Sequence, residues 1–242
     1  MALKAIFFDA AGTLFKTVRP VGESYSLLAK KYGVNVSAED LRERFRSCFA
    51  SAPPLAFPGA PDEEIPELER AWWKELVKRI FAPSMPFFHF EEYFSELFAY
   101  FTDAGAWSLY PETADTLSIL KDEGFVLNVI SNFDSRLFGI LHGLRVASRF
   151  DSVIISSRVG HAKPAPEIFH AALNLHGLKA EEAIHIGDSP DKDAAGAERA
   201  GLTAVLLDRR ETAPSSPFMR VADLRGVLPI VERLRQRKPP LE

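Results

Sequence analysis

Cysteine is nearly absent from this chain: Cys48 is the only one in 242 residues. That excludes an intrachain disulfide and fits a reducing compartment. Long hydrophobic runs are missing too. No uncharged stretch reaches the ~18 apolar residues that a membrane span needs. Lys4 and Asp9 interrupt any N-terminal apolar segment that could act as a secretion signal. There is no basic surplus, since 29 Lys and Arg stand against 33 Asp and Glu for a net charge of -4. A general nucleic-acid binder would carry the opposite balance. The six histidines include no i, i+4 metal pair, and each reads by default as satisfied or solvated. Cys48 lacks a marked basic partner and reads as a buried thiol. No internal repeat is present. These absences predict a soluble cytoplasmic protein that binds neither nucleic acid nor membrane, and leave its oligomeric state open.

What is present is ample apolar material: 47% of residues are hydrophobic and 26% charged, enough for a large α/β domain with a smaller insert. Residues 4–8 read as a fully apolar strand. Residues 18–105 then show no convincing strand pattern but helical periodicities over 21–33, 38–50, 63–81 and 90–102, some parted by proline clusters. In the last of these, Phe90, Phe94, Leu97, Phe98 and Phe101 share one face, which reads as core. Trp72 and Trp73 point to different faces of their helix, so one of them is expected at the cleft beside the insert.

From 111 onward helices and strands alternate. Helices are expected over 112–123, 135–143, 165–176, 191–200 and 226–237; strands over 125–130, 152–155, 183–186 and 203–207. Alternating βα units predict a doubly wound parallel sheet, Rossmann-like, with helices on both faces. The helical segment is thus an insertion, giving a core of 1–17 and 106–242 and an all-α cap of 18–105. The stretch 237–242 reads as a frayed tail.

Ligands of such sheets bind beyond the carboxyl ends of the strands. The residues there are Asp9, then Ser131 and Asn132, then Lys163, then Asp188 and Asp193. Carboxylates suit a hard cation, and a lysine with hydroxyl and amide groups suits phosphoryl oxygens. Ser131 and Asn132 also fit a helix N-cap, and Asp191 reads as a helix-start charge.

The order "FDAAGTLF", Ser131, Lys163 within "GHAKPAPEIF", and Asp188 with Asp193 within "GDSPDKD" resembles the haloacid dehalogenase superfamily. The match is to the subfamily with a helical cap inserted after the first strand, in its Reg-2-like (HDHD-type) branch. The resemblance implies Asp9 as nucleophile, Ser131, Asn132 and Lys163 as phosphate ligands, and Mg²⁺ held by Asp9, the carbonyl of Ala11 and Asp188, with Thr13 and Asp193 in support. It implies a Mg²⁺-dependent hydrolase of small phosphorylated metabolites working through an aspartyl-phosphate.

The sequence departs from that pattern at one position. Phosphatases of the superfamily place a second Asp, the general acid and base, where Ala11 stands. A positioned group of this kind contributes typically ~10²–10⁴-fold. Besides a slowed phosphatase, three readings stay open. One is a phosphonatase, for which Lys30, Lys31 and Lys74 offer no good Schiff-base match. Another is a haloacid dehalogenase, with Arg42, Arg44 or Arg46 for a carboxylate, although the Gly187-Asp188 metal motif argues against it. The third is a catalytically silent phosphate-binding protein.

Overall fold

The computed structural model describes residues 3–211 and 215–236; the expected tail at 237–242, with the last residue of the expected helix 226–237, lies outside the described residues. The chain runs β1 (Ala5–Phe8), β2 (Phe15–Thr17), α1 (Val21–Lys31), α2 (Ala38–Ala50), α3 (Ile65–Phe81), α4 (Phe90–Thr102) and β3 (Trp107–Leu109). It continues α5 (Thr113–Asp122), β4 (Val126–Ser131), α6 (Arg136–Gly143), β5 (Ser152–Ile155), α7 (Ser156–Val159), α8 (Pro166–Leu175) and β6 (Ala183–Gly187). It ends α9 (Ala195–Arg199), β7 (Thr203–Leu207), β8 (Met219–Val221) and α10 (Val227–Arg235).

Six strands form one sheet in the order β5-β4-β1-β6-β7-β8, every pairing parallel. Apolar residues occupy both faces of β1, as expected of a central parallel strand. Ile6 and Phe8 pack with Leu127, Val129, Ile184 and Ile186 on one side. Ala5 and Phe7 pack with Ile130, Phe169 and Ala204 on the other. The doubly wound α/β architecture expected from the alternation is thus observed.

Helices α1–α4 occupy the stretch between β2 and β3 and share a core of their own. It is built from Tyr25, Leu28, Leu41, Leu76, Ile80, Phe81, Tyr93 and Phe94. Where the chain leaves and re-enters the sheet region, β2 and β3 pair antiparallel, Phe15 opposite Leu109 and Thr17 opposite Trp107. These two strands, with α7 and β8, were not expected from the sequence. Each is three or four residues long, too short for a two- or 3.6-residue period to show. The stretch expected as one helix over 191–200 is instead a wide π-type turn, Pro190–Ala194, leading into the short α9. Cys48 is half-buried at the edge of the helical core rather than sealed within it.

Candidate active site

β1 lies between β4 and β6, so the chain departs from it to one side and later returns on the other. That reversal opens a crevice at the carboxyl ends of these strands. Phe8 is in register with both Val129 and Ile186, which brings Asp9, Ser131 and Asp188 out on one rim.

The turn after β1 is tight. Thr13 and Leu14 both donate their N–H to the Ala10 carbonyl, at 3.2 and 2.8 Å, and Gly12 donates to Phe15. The Ala11 carbonyl takes part in none of these bonds. Gly12 has φ +93°, and a Cβ there would lie 2.4 Å from Asp188 Oδ2. Glycine is required twice over, for the backbone angle and for the close approach of Asp188. Gly187 is similar in one respect: a Cβ on it would meet Asp193 Cγ at 2.2 Å.

Lys163 ties the rim together. Its ammonium donates to Asp9 Oδ1 at 2.7 Å, Asp193 Oδ1 at 2.5 Å and the Ile130 carbonyl at 2.8 Å, engaging all three protons. Ser131 Oγ donates to the same Asp9 Oδ1 at 3.2 Å. None of these contacts uses Asp9 Oδ2. Asp193 is engaged at both oxygens: Oδ1 also accepts from His185 Nε2 at 3.0 Å, and Oδ2 accepts from the Ser189 N–H at 2.9 Å. It braces Lys163 through Oδ1. The side chain of Asn132, expected at the phosphate, is engaged at both ends by the Lys163 main chain. Its Oδ1 accepts from Lys163 N at 2.7 Å and its Nδ2 donates to Lys163 O at 2.8 Å. Thr13 is fully buried, its Oγ1 without a partner, while its carbonyl accepts from Arg209 at 2.8 Å.

The electrostatics follow from this packing. Burial would raise the Asp193 carboxyl, but Lys163 and His185 outweigh it and hold the group far below the usual range. Burial pushes Asp9 up, against the pull of Lys163, and pushes His185 down, so that imidazole is neutral near pH 7. Asp188 stands at the rim with its tip exposed, yet its crowded inner side and then the charges of Asp9 and Asp193 push it up to about 7. One oxygen from each of Asp9, Asp188 and Asp193 lies within 4.8 Å of the others. Carboxylates so close repel unless a cation or proton sits among them. The three carboxylates offer oxygen donors only, and Asp9 Oδ2 is used by none of the contacts above. That donor set fits a hard divalent cation such as Mg²⁺.

Sequence reasoning missed several residues here. His185 lies inside β6 and looked like one more histidine in a strand. Arg209, just past β7, donates to the carbonyls of Gly12 and Thr13, pairs with Glu112 at 2.7 Å and stacks over Tyr110 at 3.5 Å. On the helical side, Glu69 is buried and its Oε1 accepts from Ser135 N, Ser135 Oγ and Ser157 Oγ. Trp73 donates to Asp134 at 2.6 Å, placing it at the cleft as expected for one of the tryptophan pair. The arginines weighed for a haloacid carboxylate are committed elsewhere. Arg42 and Arg46 pair with Glu39 and Glu43 along an exposed face, and Arg44 donates to Ser84. Lys31 and Lys74 pair with Glu96 and Glu91.

A parallel α/β sheet with a lysine-braced aspartate at its switch point, and a helical segment inserted between β2 and β3, defines a class of α/β hydrolase. The chain belongs to the haloacid dehalogenase-like hydrolase family, whose model matches residues 3–201. It is similar to haloacid dehalogenase-like hydrolase domain-containing protein 3 of Xenopus laevis, 32% identical over 209 residues, covering 86% of this chain and 85% of that protein. A phosphoserine phosphatase of Thermus thermophilus is 39% identical over 133 residues, 53% of each chain. Among solved structures, a phosphatase of the superfamily from Thermococcus onnurineus superposes with a TM-score of 0.67 at 26% identity, covering 95% of this chain and 98% of that one. The L-2-haloacid dehalogenase of Xanthobacter autotrophicus shares the fold at 17% identity, TM-score 0.69, covering 96% of this chain and 98% of that one.

Proposed function

We propose that this hydrolase cleaves phosphate monoesters of small molecules, with Asp9 as nucleophile and Mg²⁺ as cofactor. The single observation carrying the reading is Asp9 pinned by Lys163 Nζ at 2.7 Å while Asp188 packs against Gly12 on the other side. A phosphoryl group is anionic, so attack by a carboxylate needs positive charge on both flanks. Asp9, the Ala11 carbonyl and Asp188 would hold the cation, which when bound neutralises phosphoryl charge. Lys163 supplies the second positive charge, and Asp193 with His185 keeps it aimed. Ser131 and Lys163 fix the Asp9 carboxylate before substrate arrives, so little reorganisation is left for the reaction.

In the first step an Asp9 oxygen bonds to phosphorus and the ester P–O bond breaks, releasing an alkoxide or phenoxide. In the second, water attacks the aspartyl-phosphate and returns free Asp9 and inorganic phosphate. No side chain at position 11 delivers the leaving-group proton, so bulk water supplies it and alkyl esters turn over slowly. In this reading residues 18–105 act as a helical cap over a core of 1–17 and 106–242.

The test is hydrolysis of an aryl phosphate with and without Mg²⁺, beside 2-haloacids, in wild type and Asp9→Asn. Mg²⁺-dependent phosphate release that Asp9→Asn abolishes is the expected result. A thermal shift with beryllium fluoride and Mg²⁺, absent in Asp9→Asn, should accompany it. That shift without any turnover would instead mark a silent phosphate binder. Undiminished hydrolysis by the variant would remove Asp9 as nucleophile.

A further inference from the structure

Arg209 follows β7, and each of its guanidinium nitrogens has an acceptor. Nε donates to the Gly12 carbonyl at 3.3 Å, Nη2 donates to the Thr13 carbonyl at 2.8 Å, and Nη1 pairs with Glu112 Oε1 at 2.7 Å. The guanidinium carbon lies 3.5 Å from the centre of the Tyr110 ring. In the sheet β6 lies between β1 and β7. The bonds from Arg209 to the turn after β1 therefore span the carboxyl end of β6, where Asp188 emerges.

The segment that seats Arg209 also grips the same turn. The Tyr110 N–H donates to the Leu14 carbonyl at 3.1 Å, and Thr113 Oγ1 donates to that carbonyl at 2.8 Å. Within the turn the Ala10 carbonyl accepts from Thr13 and Leu14. The carbonyls of Ala10, Gly12, Thr13 and Leu14 are thus all held, while that of Ala11 enters none of these bonds. Its direction is nonetheless set. The Gly12 N–H donates to the Phe15 carbonyl at 2.8 Å, and a trans peptide points its C=O opposite to its N–H, so the Ala11 carbonyl is turned away from Phe15.

A turn through Gly12 has backbone freedom to lose, because glycine admits conformations that other residues do not. A guanidinium suits the task of removing that freedom. Its donors form a planar, rigid fork that stays charged at any working pH. Glu112 is buried and balances that charge, so Arg209 acts by fixing backbone rather than by attracting an anion.

We propose that Arg209 is the positioning residue of the nucleophile turn. By holding the Gly12 and Thr13 carbonyls it fixes the backbone after Asp9 in the form that receives the cation and the phosphoryl group. The proposal rests on the phosphoryl reading above. Arg209 acts on the reaction only through the turn, and supports of this kind are typically worth about 10–100-fold in metal affinity or activity.

The experiment compares Arg209→Met, which keeps the length but no donor, with Glu112→Gln, which breaks the ion pair and leaves Arg209 its bonds to the turn. The full chain is read in three ways: amide exchange at Thr13 and Leu14 without metal, Mg²⁺ affinity by calorimetry, and kcat and KM for an aryl phosphate. Arg209→Met should speed exchange at Thr13 and Leu14. It should also weaken Mg²⁺ binding and lower kcat by ~10-fold or more, with KM for the ester little changed. Glu112→Gln should lower the melting temperature while losing less Mg²⁺ affinity and less kcat than Arg209→Met. Should Arg209→Met not fold, the double variant Arg209→Met with Glu112→Gln leaves no buried charge unpaired and gives the same readouts. Unchanged exchange at Thr13 and Leu14, or losses in both variants that simply follow melting temperature, would overturn the positioning role and leave the phosphoryl reading intact. A different failure is distinguishable in wild type alone: neither Mg²⁺ binding nor ester hydrolysis would sink the phosphoryl reading, and the positioning role with it.

Discussion

At the scale of single residues, the site is defined as much by what Ala11 lacks as by what surrounds it. Lys163, Ser131, Asp193 and His185 form a connected set around Asp9, and in the proposed mechanism the missing part is a proton carrier. Ala11 is half-buried rather than sealed, so a longer side chain has room toward solvent. Ala11→Asp is therefore expected to raise turnover of alkyl phosphates by ~10-fold or more, within the range of general acid–base catalysis. Aryl phosphates should gain less, because a phenoxide leaves without a proton. Steady-state kinetics on an alkyl and an aryl ester check this; no gain on the alkyl ester, in a variant that folds and binds Mg²⁺, would mean the missing shuttle is not what limits the enzyme.

At the scale of elements, the decisive contact runs between α3 and the loop after β4. One oxygen of Glu69 accepts from the Ser135 N–H at 3.0 Å, the Ser135 hydroxyl at 2.9 Å and the Ser157 hydroxyl at 2.6 Å. All three donors are neutral, so the bond set is a latch made of hydrogen bonds rather than an ion pair. Glu69→Ala leaves them without that acceptor, at a cost of about 1–3 kcal/mol for each one left buried and unpaired. The expected outcome is a lower melting temperature, together with faster amide exchange in α3 than in β1 or β4. Glu69→Gln keeps an acceptor oxygen and should lose less. Uniform exchange across α3 and the sheet in Glu69→Ala would show that α3 is not held by this latch.

At the scale of the whole molecule, Mg²⁺ bound by the rim carboxylates, as proposed, would link metal binding to stability. In the metal-free protein Asp188 faces the charges of Asp9 and Asp193, so Asp188→Asn should melt no lower than wild type without metal. Mg²⁺ at ~100 times its dissociation constant should stabilise wild type by about 2.7 kcal/mol. For a chain of this size that is a shift of roughly 5–10 °C. The shift should vanish with a chelator and be largely absent in Asp188→Asn. A variant that keeps the full shift would take Asp188 out of the metal site.

Strands β1 and β4 to β7, the inserted helices and several rim residues were legible because each leaves a local mark: a period of 3.6, an apolar run, or a polar residue at the end of that run. Asp9, Ser131 and Asp188 were brought to one rim in this way, since a parallel sheet brings its strand ends to one edge whatever the details of packing. The sequence also named the departure at Ala11, which needs no coordinates. What only the tertiary structure decided depends on contacts between distant segments, and these carry no local period. The Asn132 side chain bonds the Lys163 main chain, a pairing 31 positions apart. His185 and Arg209 join the site from inside or after strands whose pattern does not distinguish them. The stripe Phe94, Leu97, Phe98 and Phe101 reads as core on its own helix, and becomes a cavity wall because the facing helices and Phe133 do not close over it. Periodicity reports that a face is apolar; whether protein or a ligand covers that face is settled by the shape of what packs opposite.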